Sequence, residues 1–215
     1  MEVVLNILSG AVVYAPQKIE NLEEKRIVPK MMLRRRLTRN AKMMLYLADK
    51  CSFHSGKIVY GSAFGELQAT VGITDAILEG TSISPTLFQN SVYNSAPSYF
   101  SLLNTDRDEI LTVSSGMNSS RDVLKTAALQ ALVSKEKILC VATECLDIHN
   151  VEEVNHCTSY LESGAAIVIE VSADTKDACN IDMDYQEKGV IASLQDLFCS
   201  VKMFENGKKK VRIEL

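Results

Sequence analysis

The stretch "ILTVSSGMNSSRDVLKTAALQAL", residues 110–132, decides the fold. Its start belongs to the run "DEILTVSSG" (108–116), which reads as a strand opening into a glycine turn. Beyond the turn, Leu124, Ala127, Ala128, Ala131 and Leu132 recur at helical spacing on one face. Ser119, with Asp122 three residues later, has the pattern of a capping box at a helix start. Strand, tight turn and helix together make an elbow, a place where many enzymes hold a nucleophile. Here the most prominent side chain of the turn is Met117. A thioether has no proton to give and is a poor nucleophile, so the elbow is not read as catalytic.

Working outward, "KEKILCVATECLDI" (135–148) is a continuous apolar run, the pattern of a strand covered on both faces. "SGAAIVIEVSA" (163–173) is another. Upstream, "GKIVYGSAF" (56–64) reads as a strand entering a turn, and "GELQATVGITDAILEG" (65–80) as a helix closed by Gly80. In "KMMLRRRLTRNAKMMLYLADKC" (30–51), Leu37, Ala41, Met44, Leu45 and Ala48 form an apolar helical stripe. "EVVLNIL" (2–8) and "AVVY" (11–14) read as strands, and a polar connector runs from 15 to 29. In "SPTLFQNSVYNSAPSYFSLLNT" (84–105), Pro85 suits a first helical turn, while Asn90, Asn94 and Pro97 interrupt any long helix. The last forty residues predict a strand near Ile181, a short helix near 192–201 and a final strand, "KKKVRIEL". Strands alternating with helices imply an α/β fold, layered α-β-α around a mostly parallel mixed sheet. With no repeat or Gly/Ser linker, residues 1–215 read as one domain.

Bulk properties narrow the function classes. The 215 residues carry a net charge of −4, so no global basic field favours nucleic acid. No apolar stretch reaches the roughly 18–20 residues a membrane span needs. The first residues lack a basic secretory leader, and the six cysteines show no C-x-x-C, which reads as reduced thiols in the cytoplasm. His54, His149 and His156 make no zinc spacing with them, and no cofactor or metal motif is found.

Four blocks, in order, resemble the amino-terminal half of a β-ketoacyl synthase, closest to the divergent branch associated with aryl polyenes. They are "LRRRLTRNAKMMLYLA", "VYGSAFGELQAT", "PTLFQNSVYNSAPSYFSLLN" and the elbow with its helix. "KILCVATECLD" and "SGAAIVIEV" continue the match, which covers roughly residues 30 to 172. The resemblance implies a thiolase-like half. In that family the elbow carries a cysteine in a Ser-Ser-Ala-Cys-like pattern, where this chain has Ser114, Ser115, Gly116 and Met117. The family's two histidines come from Gly-Thr-Gly-Thr-like and Gly-His-like motifs in its other half, and neither motif is found here. The resemblance therefore implies a non-catalytic chain-length-factor-type subunit. Such a subunit pairs with an active β-ketoacyl-ACP synthase in a heterodimer and bounds the tunnel for the growing chain.

Individual residues follow from that reading. Met117 either lines such a tunnel or plugs the vacated pocket, since methionine fills irregular apolar gaps. Phe88, Asn90, Tyr93, Asn94, Tyr99 and Phe100 are expected at the partner interface and tunnel, where aromatics are enriched. Arg34, Arg35, Arg36 and Arg39 are candidates for docking an acyl carrier protein, against the plainer reading of a solvated face or internal ion pairs. Cys140 and Cys145 are expected as buried apolar groups. His149, His156 and the Glu152-Glu153 pair are expected at the surface, and Lys208 to Lys210 at a protected sheet edge. The competing readings are an acyl-transfer or hydrolytic enzyme with a remodelled pocket, and a free-standing structural domain.

Overall fold

The computed structural model describes residues 1–149, 152, 156, 158–181 and 185–215. Seven strands form one mixed sheet: β1 (Glu2–Ala15), β2 (Lys57–Gly61), β3 (Ile110–Val113), β4 (Ile138–Cys145), β5 (Glu162–Val171), β6 (Cys179–Asn180) and β7 (Lys210–Glu214). Their spatial order is β3-β2-β4-β5-β1-β7-β6. The block β3-β2-β4 is parallel, with Gly61 level with Val113 on one side and Ala142 on the other. The ladders β4–β5, β5–β1 and β1–β7 are antiparallel, and β7–β6 is parallel again. The parallel share is thus smaller than the sequence suggests. A buried apolar run has the same pattern in either direction, so it does not reveal the strand's sense.

The two short strands expected at 2–8 and 11–14 are one strand of 14 residues. Its register against β5 shifts between Ile7 and Ser9, leaving Leu8 as the extra residue of a bulge. Ser9 and Gly10 therefore bend the strand without ending it. The Ser9 hydroxyl donates to the Cys51 carbonyl at 3.0 Å.

Helices cover both faces. On one lie α1 (Glu24–Ile27), α2 (Met31–Arg34), α3 (Arg39–Lys50) and, after the arm formed by α4 (Leu67–Leu78) and α5 (Pro85–Asn90), α6 (Ser95–Asn104). Their core joins Leu47, Tyr60, Phe100, Val141 and Ala166. The regular helix α3 starts later than the periodicity suggests, because Thr38 caps it by accepting the Ala41 N–H at 3.1 Å. The predicted stripe from Leu37 to Ala48 is buried, and Met43 and Leu47 widen it. On the opposite face, α7 (Ser119–Ser134) and α8 (Gln195–Glu205) pack Val123, Ala127, Leu197 and Val201 onto Cys140, Ala142 and Ile167.

Close helix approach requires glycine at two sheet positions. A Cβ on Gly61 would lie 2.5 Å from Val123 Cγ2 of α7. A Cβ on Gly164 would lie 3.0 Å from Leu47 Cδ1 of α3 and 3.1 Å from the Ala142 carbonyl oxygen.

The α4–α5 arm differs from the rest. α4 is apolar in composition, yet only Ala69 is buried, and its main packing partner is α5. The helix ends at Gly80 as expected: Thr81 N–H donates to Ala76 O and Gly80 N–H to Ile77 O, a Schellman closure. Pro85 opens α5, and Pro97 is tolerated in the first turn of α6, where its missing N–H had no helical partner to lose.

Candidate functional site

The parallel strands β3, β2 and β4 end side by side, and their connections form the candidate site. After Val113 the chain turns through Gly116, at φ +55°, into a single 3-10 turn, Gly116–Asn118, that runs directly into α7. Glycine, with no Cβ, adopts that φ at the least steric cost. The capping box read at Ser119 and Asp122 is not what forms. Ser119 already lies in the helical stretch, where its Oγ donates to Gly116 O at 2.7 Å and accepts the Ser115 N–H at 3.1 Å. The serine closes the elbow on itself instead of capping α7. Met117 is 42% exposed at the tip, with Ser114, Ser115 and Gly116 also exposed. It does not plug an internal pocket of this chain, a correction to one of its two expected roles. The 3-10 turn carries the side chain outward.

Beside the elbow, the loop 62–66 leaves β2. Ser62 N–H donates to Val113 O at 3.3 Å, which ties it to β3. Beneath lies the fully buried carboxylate of Glu144, at the end of β4. It accepts from Ser62 Oγ (2.9 Å), Ala63 N (2.6 Å), Phe64 N (3.3 Å) and Ser193 Oγ (2.9 Å). Burial raises its pKa to about 6, against the pull of those four donors. Glu66 is also buried, and burial raises it to about 7 while the Thr38 hydroxyl and Asn40 amide pull it down. Neither residue was singled out from the sequence. The available signal was Glu144 itself, a lone carboxylate inside an apolar strand.

The 86–104 segment divides. Phe88 is 70% exposed on the arm. Tyr93 is exposed, with its ring against Gly65 and its hydroxyl donating to Ala63 O at 3.2 Å, so it stands at the elbow end of the sheet. Asn90 accepts the Tyr99 hydroxyl at 2.9 Å and donates to Arg36 O at 3.5 Å, joining arm, α6 and the Arg-rich turn. Asn94 is exposed, and its carbonyl accepts Ser98 Oγ at 2.6 Å. Phe100 is a correction: it is 1% exposed, 6.1 Å ring to ring from Phe53, and belongs to the core under α3. It sits on the inward face of α6 and presents nothing to a partner.

The arginines divide too. Arg39 is not available for docking, because its guanidinium donates to both oxygens of the fully buried Glu162 at 2.6 and 2.5 Å and to Ile19 O at 3.0 Å. Arg34 donates to Val28 O and Pro29 O, fixing the local turn. Arg35 and Arg36 remain exposed.

Elsewhere, burial pushes the thiols of Cys140 and Cys145 up, which keeps them protonated and unreactive. His149 is exposed, 3.8 Å from Asp75 of α4, and His156 and Glu152 are exposed. Glu153 lies outside the described residues. Lys208 and Lys209 precede β7, Lys210 begins it and donates to Asp174 at 2.6 Å, and the two-residue β6 pairs with the strand at Val211 and Arg212. Among the described residues, no helix is long and apolar enough to cross a membrane, and no group of three or more His, Cys, Asp or Glu residues is placed to hold a metal.

Comparison with solved structures finds the same fold. A ketosynthase (ApeO) in complex with its chain length factor (ApeC) from Xenorhabdus doucetiae matches with a TM-score of 0.66 at 23% identity, over 79% of this chain and 80% of that one. The ishigamide ketosynthase/chain length factor matches at 0.57 and 12% identity, over 81% of this chain and 63% of that one. AntDE:AntF, a type II PKS acyl-carrier protein in complex with its ketosynthase bound to the hexaketide, matches at 0.59 and 14%, over 79% and 62%. This chain thus spans less than two thirds of the latter two. No curated protein matches it significantly in sequence. The family model of the β-ketoacyl synthase N-terminal domain matches residues 14–197, most of the chain, and the protein therefore belongs to that family.

Proposed function

We propose that this chain is a non-catalytic, chain-length-factor-type partner of a β-ketoacyl-ACP synthase, acting in polyene-type polyketide or fatty-acid assembly. In this reading residues 1–215 are a single half-thiolase domain that completes a heterodimer and bounds the acyl tunnel. The observation that carries it is Met117, an apolar side chain half-exposed at the tip of the elbow where the family holds its cysteine. An apolar group presented outward is suited to a wall, and a thioether is a poor nucleophile. The α4–α5 arm supports the same reading. Ile77, Leu78, Phe88, Val92 and Tyr93 are exposed on it or just beyond it, and Leu78 is 80% exposed. Clustered exposed apolar groups mark interaction surfaces. Tyr93 brings that surface to the elbow through its bond to Ala63. Arg35 and Arg36, exposed beyond α2, are the cations left to meet an acidic carrier protein.

The test is co-expression with a full-length synthase that carries the cysteine and both histidines. Co-purification as a heterodimer, with chain extension only when both are present, is the expected result. Met117→Cys in the isolated chain is expected to create no condensing activity, because groups that act as a unit are not restored singly. Chain extension or acyl transfer by the isolated protein would overturn the non-catalytic reading.

A further inference from the structure

Three buried carboxylates lie near the elbow end of the sheet, and their partners differ. Glu162 faces the Arg39 guanidinium. Glu144 has no cation but four donors. Glu66, 6% exposed, has no cation and only two side-chain donors. Thr38 Oγ1 donates to its Oε1 at 2.7 Å, and Asn40 Nδ2 reaches its Oε2 only at 3.4 Å, because that amide is committed to Gly65 O at 2.8 Å. The other end of the same amide, Asn40 Oδ1, is buried and receives no donor. The buried carboxylate thus has two side-chain donors and no cation. A single proton on Glu66 removes the uncompensated buried charge.

The neighbouring groups do not compensate an ionised Glu66. Tyr60 of β2, Tyr99 of α6 and Cys145 of β4 interact with it electrostatically, and burial raises the pKa of each, so they stay neutral at ordinary pH. Arg39 is engaged by Glu162, and Arg36 is exposed. Glu144, across the same loop, can only add negative charge. The positive end of α3 is partly screened, because the Ala41 N–H is taken by Thr38 Oγ1. Burial with these partners places the Glu66 carboxyl at about 7.

Glu66 is also the residue immediately before α4, so its side chain ties the root of the arm to the start of α3. We infer that Glu66 is held as the neutral acid and that its ionisation releases the root of the α4–α5 arm, making the arm a proton-dependent latch. The folded carboxyl binds its proton more tightly than a free one at 4.5, so docking is favoured at low pH and weakens as pH rises through about 7. The neutral and ionised forms should differ in docking equilibrium by on the order of a hundredfold. The latch concerns this chain's own arm and holds whatever partner the arm meets.

The test follows the Glu66 carboxyl by carbon-detected NMR, and the exchange of α4 and α5 amides corrected for intrinsic rates, from about pH 5.5 to 8.5. We expect a Glu66 midpoint above about 6, with arm protection falling at least tenfold across the same interval. Glu66→Gln should keep the arm protected throughout. A midpoint near 4.5, arm protection that does not track the Glu66 midpoint, or an unchanged pH dependence in Glu66→Gln would each overturn the latch. The wild-type titration decides on its own if the variant fails to fold.

Discussion

Gly61→Ala is the sharpest test of how the elbow is seated. Gly61 ends β2 directly beneath the first turns of α7. The added Cβ would stand 2.5 Å from Val123 Cγ2, 3.5 Å from Ala142 Cβ and 3.7 Å from the Ser119 carbonyl oxygen. Carbon atoms rest at about 3.5–4.0 Å, so either α7 lifts by about 1 Å or Val123 leaves its rotamer. Overpacking of this kind costs about 1–3 kcal/mol. Val123→Ala alone removes two methyl groups from a fully buried site, for a loss of about 1–3 kcal/mol. In the double variant the new methyl occupies space that the valine has vacated. Its loss should therefore fall short of the sum of the single losses by about 1–2 kcal/mol. The chain contains no tryptophan, so urea unfolding followed by far-UV circular dichroism is the suitable assay, with the m-value confirming a common unfolding transition. Single effects that add to within about 0.5 kcal/mol would refute the reasoning, since the helix would then not be seated on the strand through this contact.

Other substitutions separate core from surface. Phe100→Ala should lower stability by about 3–5 kcal/mol, whereas Phe88→Ser should change it by less than about 0.5 kcal/mol and weaken capture of a synthase; thermal melts and co-purification check the pair. Arg39→Ala strands the fully buried Glu162 and should cost about 3–5 kcal/mol in urea unfolding. Glu144→Gln turns an amide N–H toward donors and should cost about 1–3 kcal/mol. It should also remove a pH dependence. The folded pKa of Glu144, about 6, lies above the ordinary 4.5, so the folded chain holds extra proton between these values. The wild-type contribution to stability therefore falls as pH rises through that window, and the variant's should stay flat. Urea midpoints at about pH 4.5 and 7 measure the difference.

Much of this was legible in the linear chain. Strand, glycine turn and the face Leu124, Ala127, Ala128 and Ala131 are local patterns, and neighbouring residues alone decide them. So are the closure of α4 by Gly80 and the start of α5 at Pro85. Met117 at the elbow was also plain, because the turn and its tip are contiguous. Strand direction, by contrast, depends on where a run lies in the sheet, and no local period records it. The bulged 14-residue β1 joined two apparent strands because β5 offered it a continuous ladder past Ser9 and Gly10.

Side-chain roles followed the same division. Phe88 and Phe100 have the same chemistry twelve positions apart, and only the packing of α6 under α3 buries one and leaves the other in solvent. Arg34, Arg35, Arg36 and Arg39 form one basic run. A carboxylate 123 residues away removes Arg39 from the surface. Glu66 is unremarkable in sequence, and its environment exists only once α3, β2 and the loop 62–66 have met. Sequence by itself determined which segments fold locally and which side chain stands at the tip of the elbow. Tertiary structure alone decided which charges are buried and which apolar groups are left uncovered, because burial and desolvation belong to contacts between distant residues.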